Sequence, residues 1–123
     1  MKAGTSMTDS LNLTVERRDG LAVIHTEGYI NNQGGEEIAK AAYKLLDDGY
    51  KVLLLNLAGT KIVNSIGISI LIEIIEKMIE IGGKLGFCCL TPTIEKTFHI
   101  MGLAQYAPIF DTEEHALAQL SGG

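Results

Sequence analysis

Asn64 and Ser65 stand directly ahead of the isoleucine-rich stretch IGISILIEIIEKMIEI, residues 66 to 81. A hydroxyl at that place has three chemistries open to it. As a nucleophile it needs a strand–turn–helix elbow of the form G-x-S-x-G and a base within reach. Position 63 is Val63, several residues separate Leu57 from Ser65, and the three histidines lie elsewhere: His25 in a predicted hairpin, His99 and His115 on late helices. The nucleophile reading fails on those counts. As an oxygen acceptor at a helix N-terminus, Ser65 could cap the helix, where free N–H groups await a partner. As a phosphate acceptor it could gain about −1.5 to −2 charge at a helix end that tolerates an anion, so that the fold survives while a partner packed over the same spot does not.

The other chemically capable residues are weaker signals. Cys88 and Cys89 are adjacent within an apolar run, with neither a C-x-x-C spacing nor a second ligand cluster, and read as two reduced thiols used as small hydrophobes. Strand alternation would send their side chains to opposite faces. No metal or cofactor is expected. A phosphoaccepting aspartate domain needs a carboxylate at the end of its central strand, and Asn56-Leu57-Ala58 offers none. No Gly-rich phosphate loop points to a nucleotide.

The elements that must position Ser65 follow from periodicity. Leu11, Leu13 and Val15 alternate with polar residues, Arg18-Asp19-Gly20 makes a turn, and Leu21 to Thr26 pairs back as a hairpin strand that Gly28 breaks. Asn31, Asn32, Gly34 and Gly35 read as a loop, and Glu36 to Asp48 as a helix with Ile38, Ala41, Ala42 and Leu45 on one face and Gly49 as its stop. KVLLLNL, residues 51 to 57, suits a central strand buried on both faces, with residues 58 to 63 as loop. Ser69, Glu73, Glu76, Lys77 and Glu80 recur at steps of three and four, so the next segment is a helix despite its isoleucines. KLGFCCL, residues 84 to 90, is a second buried strand; Thr91-Pro92 opens a helix closed by Gly102; Ile109-Phe110 is an edge strand; and Asp111 with Glu114 resembles a capping box for a last helix. The order ββαβαβα(β)α in one α/β domain implies a mixed, mainly parallel sheet with an antiparallel N-terminal hairpin at its edge and helices packed against it. Residues 1–10 and 121–123 read as flexible tails around a domain spanning 11–120.

Composition narrows the partners. A chain of 123 residues is about one domain long. Its net charge is −5, and its ten basic residues are scattered, which speaks against nucleic acid. The first ten residues lack the apolar run of a signal peptide, and Glu73, Glu76, Lys77 and Glu80 interrupt the isoleucine stretch. A cytoplasmic protein with no membrane contact is expected.

At this point the chain resembles the STAS domains, and among them the bacterial anti-sigma-factor antagonists. The likeness is carried by TEGYINN after the hairpin, LLLNLAGTKIVNSIGISIL, IGGKLGFCCLTPTIEKTFHIMGL and the closing IFDTEEHAL, in that order. The resemblance implies the fold just derived and a non-enzymatic role. It further implies that Ser65 is phosphorylated by an anti-sigma factor that is itself a serine kinase. The unphosphorylated chain would then bind that factor and free its sigma factor, and a phosphatase would restore it. Partner contact would fall on Asn31, Asn32, Asn64, Ser65, Ile66, Gly67, Ile68 and Ser69, with the chain a monomer or weak homodimer. Two positions depart from the family: Asn31 and Asn64 stand where aspartate is often found, which keeps the capping shape and removes a charge that a kinase arginine could pair with. The alternative is a STAS scaffold subunit of a larger sensory assembly, never phosphorylated; a small-molecule-binding STAS domain is a third reading.

Overall fold

The apolar alternation of the first segment produces the hairpin: in the computed structural model, which describes residues 11–121, β1 (Leu11–Arg17) pairs antiparallel with β2 (Ala22–Ile30). The predicted tail before Leu11 lies outside the described residues. Gly28 does not end β2. It adopts a positive φ of 121° and lets the strand continue to Ile30 through an irregularity in its pairing with the next strand.

That next strand, β3 (Val52–Val63), is longer than the apolar run suggested, because residues 58 to 63 are strand and not loop. Its register against β2 slips twice: His25 faces Asn56 but Glu27 faces Gly59, and Gly28 faces Thr60 but Tyr29 faces Ile62. Each slip inserts one extra residue into β3 and destroys the alternation a sequence reader relies on. Gly59 is required there, since a Cβ would sit 2.7 Å from the Thr26 carbonyl oxygen. A buried hydroxyl pair, Thr26 Oγ1 to Thr60 Oγ1 at 2.6 Å, joins the two strands across the irregular stretch.

The remaining parallel strands are β4 (Lys84–Cys88), which stops short of the predicted residue 90, and the two-residue β5 (Ile109–Phe110). The sheet order is β1-β2-β3-β4-β5, with only the hairpin antiparallel. Alternation along β3 feeds two cores. Leu53, Leu55 and Leu57 face the helices α1 (Asn32–Asp47), α2 (Ser65–Glu80) and α3 (Pro92–Ile100), whereas Leu54 faces α4 (Glu113–Ser121) with Val23, Cys88, Ala116 and Leu120. Each such fully buried leucine stabilises the fold by about 1.5–3 kcal/mol.

Several ends differ from the sequence expectation. Helix α1 starts at Asn32, four residues earlier than predicted, and α1 crosses close to α2 because Gly35 has no side chain: a Cβ there would come within 2.8 Å of Ile70. The last helix is capped by Thr112, whose Oγ1 accepts from the His115 N–H at 3.1 Å, and not by Asp111. Ser121 belongs to α4 and not to a tail. Cys88 and Cys89 pack toward the same α4-side cluster, because Cys89 adopts a φ of 66° and breaks the alternation.

Candidate functional site

Strands β2 and β3 run parallel and end level, Ile30 beside Val63, so the helices that follow begin side by side at the C-terminal end of these two strands. Both begin with the same four-residue device. In NNQG, Asn31 is the cap and its Oδ1 accepts from the Gly34 N–H at 2.8 Å; in NSIG, Asn64 is the cap and its Oδ1 accepts from the Gly67 N–H at 2.8 Å. Glycine is needed at the fourth position in each. A Cβ on Gly34 would lie 2.6 Å from the Tyr29 carbonyl oxygen and one on Gly67 would lie 2.3 Å from that of Ile30. The Asn64 N–H also donates to the Ile30 carbonyl at 3.0 Å, which ties the start of α2 to the start of α1.

This arrangement settles which residue does the capping. Asn64 holds the first turn of α2, and Ser65 is the first residue inside the helix with its side chain exposed. No hydrogen bond reaches the Ser65 hydroxyl from any described residue; its carbonyl accepts the Ser69 hydroxyl at 3.1 Å. The capping role considered for Ser65 therefore belongs to its neighbour. Neither α1 nor α2 carries an acidic residue in its first turn, so neither first turn supplies a carboxylate to the positive end of its own helix dipole.

Of the residues singled out from the sequence, Asn32, Ser65, Ile66 and Ser69 are exposed and Asn31 and Asn64 partly so, all around the two helix starts. Gly67 and Ile68 are not on the surface: Ile68 is 4% exposed and anchors α2 in the core. Sequence reasoning missed Ile62, 59% exposed on the bulged end of β3 three residues before Ser65; Ile66, the residue after Ser65, is 53% exposed. Lys61, Ile62 and Val63 also line a groove of about 270 Å³ with Thr93, Ile94, Thr97 and Phe98 of α3. The repeated N-x-x-G was the signal that could have located both caps.

No histidine is hydrogen-bonded to Ser65. His25 lies against Glu16 and Glu113, His99 against Glu95, and His115 against the Phe110 ring. Among the described residues, the group of three possible metal ligands that converge is Glu16, His25 and Glu113, on the α4 face of the sheet and away from Ser65.

Comparison with known proteins now bears on this geometry. A family model described as the STAS domain matches residues 12–116. The chain belongs to the STAS domain family. This STAS domain is 27% identical over 118 residues to the anti-sigma-F factor antagonist RsfB of Mycobacterium tuberculosis, a match covering 96% of both chains. It superposes on the crystal structure of an anti-sigma factor antagonist from Mycobacterium paratuberculosis with a TM-score of 0.83 at 26% identity, covering 95% of this chain and 99% of that one. SpoIIAA, an anti-sigma factor antagonist, shares the fold at 20% identity: its unphosphorylated form gives a TM-score of 0.77 over 91% of this chain and 98% of that one, and its phosphorylated form 0.70 over 88% and 98%. The mixed sheet and the order of elements read from the sequence are thus those of the family. No helix among the described residues is long and apolar enough to cross a membrane.

Proposed function

We propose that this STAS domain is an anti-sigma factor antagonist whose partner binding is switched by phosphorylation of Ser65. In the unphosphorylated state it binds an anti-sigma factor of the serine-kinase type, which releases a sigma factor for transcription; the kinase then phosphorylates Ser65, the complex dissociates, and a phosphatase resets the chain. The chain is substrate and ligand in this cycle, acts in the cytoplasm, and leaves catalysis to its partners.

One observation carries the reading: Ser65 is an exposed hydroxyl with no structural duty, placed at the positive end of α2 and followed directly by exposed Ile66. A phosphate there meets a favourable helix dipole, so the fold is spared. A partner desolvating the same apolar surface would have to bury the charge, which costs about 2–5 kcal/mol. Contact is expected from Asn31, Asn32, Asn64, Ile66 and Ser69 around Ser65, while Gly67 and Ile68 act through the placement of α2.

The experiment is to incubate the protein with serine-kinase-type anti-sigma factors and ATP, map phosphate by peptide mass spectrometry, and measure binding of wild type and Ser65→Ala before and after. Phosphate confined to Ser65 with loss of binding supports the switch. Binding with Ser65 unmodified after prolonged incubation supports the scaffold alternative, and the uncharged caps Asn31 and Asn64 are the feature that favours it.

A further inference from the structure

We infer that Glu16, His25 and Glu113 form a binding site for a zinc-class divalent cation that fastens the β1–β2 hairpin to α4. This inference concerns the face of the sheet away from Ser65 and is independent of the switch. Glu16 comes from β1, His25 from β2 and Glu113 from the first turn of α4. His25 Nε2 lies 3.3 Å from Glu16 Oε1 and 3.7 Å from Glu113 Oε1, and the three ligand atoms all fall within 4.8 Å of one another. Zinc bonds of about 2.1 Å to oxygen and nitrogen imply ligand–ligand edges of about 3.4 Å in a tetrahedron. Two edges already have that length to within a few tenths of an ångström, so a cation enters with little movement.

The three ligand atoms converge on one point. Two carboxylates from different elements approach the same imidazole nitrogen, His25 Nε2. A divalent cation satisfies both and the imidazole lone pair together. The supporting contacts leave the ligand atoms aimed inward. Asn56, buried and itself fixed by accepting the Ala58 N–H at 2.9 Å, donates from Nδ2 to Glu113 Oε1 at 2.7 Å. Arg18 Nη1 donates to Glu16 Oε2 at 2.7 Å, which turns Oε1 toward His25. Oriented ligands of this kind are what outer-shell partners of a metal provide.

The donor set selects the class of ion. One imidazole with two carboxylates suits zinc or cobalt, whereas magnesium and calcium take oxygen ligands throughout. All three side chains are partly exposed, so an ion has an entry path and a fourth position open to water. Cys88 packs on the same face but keeps its proton, since burial and then its hydrogen bond with Cys89 push the thiol pKa up.

The test is calorimetric titration of ZnCl2 into chelator-stripped full-length protein at pH 7.5, with melting curves in parallel. The expected result is saturable uptake of one zinc per chain and a rise in Tm of about 10 °C at free zinc a hundredfold over Kd. His25→Gln and Glu113→Gln should each weaken uptake at least tenfold, while His99→Gln and Cys88→Ser/Cys89→Ser keep it and MgCl2 gives no shift. Cobalt loaded in place of zinc should show no thiolate-to-metal charge-transfer band. Absence of saturable zinc uptake, a loss below tenfold in His25→Gln and Glu113→Gln, or a thiolate band overturns the inference. Because these side chains are partly exposed, the metal-free variants should fold, and their circular dichroism spectra check it.

Discussion

Ser65→Asp should leave the domain at least as stable as the wild type while abolishing partner binding, and the two effects have separate structural origins. The substitution removes no hydrogen bond, because Asn64 and not Ser65 caps α2. It adds a carboxylate to a first turn that has none, and the helix dipole makes that worth about 0.3–1 kcal/mol in favour of folding. Two companion variants calibrate the scale. Asn64→Ala deletes the 2.8 Å bond to the Gly67 N–H and should cost about 1 kcal/mol, or roughly 4 °C in Tm. Ser65→Ala touches only an exposed hydroxyl and should stay within about 0.5 kcal/mol of wild type. On the binding side, a charge desolvated against the partner costs about 2–5 kcal/mol, or very roughly 30- to several-thousand-fold in Kd. Urea unfolding and isothermal titration with the anti-sigma factor, run on the same preparations, read both quantities. If Ser65→Asp loses 1 kcal/mol or more of stability, Ser65 has a structural role that this account denies it. If its stability is kept and its Kd stays within threefold of wild type, the charge-exclusion switch is refuted.

Four other outcomes follow from particular contacts. Gly67→Ala drives a Cβ to 2.3 Å from the Ile30 carbonyl oxygen, so α2 must shift and unfolding should move by about 2 kcal/mol or more in a denaturant titration. Asn64→Asp preserves the cap, since the two residues cap about equally well, and adds a charge that a kinase arginine can pair with; phosphorylation should speed up at unchanged Tm, and an unchanged rate means the carboxylate is irrelevant. Glu16 has a lowered pKa, so its contribution to folding is complete above the ordinary 4.5 and fades as the pH falls below it; in chelator, Glu16→Gln should be less stable than wild type at pH 7 and converge with it in acid. Cys88, buried and held as the thiol, should resist iodoacetamide at pH 8 until the protein is unfolded, which peptide mapping of the alkylated cysteines reads directly.

Much of the architecture was legible because its cause is local. The hairpin, the buried β3 run and the helical period of α2 each follow from side-chain spacing within a few residues, and Thr91-Pro92 announced α3 correctly by its cap and its first-turn proline. The two largest misreadings share one origin, which is that a neighbouring strand or helix overruled the local signal. Residues 58 to 63 look like a loop because two bulges scramble their alternation, and only pairing with the end of β2 makes them a strand. Asn31 to Gly35 look like a loop because glycine is a poor helix former, and only the close passage of Ile70 and the Tyr29 carbonyl explains why glycine sits inside α1.

For the candidate site the division is sharper. Sequence alone picked out Ser65, because an isolated hydroxyl ahead of a long apolar helix is a one-dimensional pattern. It could not decide that Asn64 takes the capping duty and leaves Ser65 uncommitted, since that depends on which side chain reaches the Gly67 N–H once α2 is seated on Ile30. Nor could it bring Glu16, His25 and Glu113 together. Glu16 and His25 share the hairpin, but Glu113 is distant along the chain and meets them only because parallel pairing sets His25 beside Asn56 and α4 folds back across the same face of the sheet.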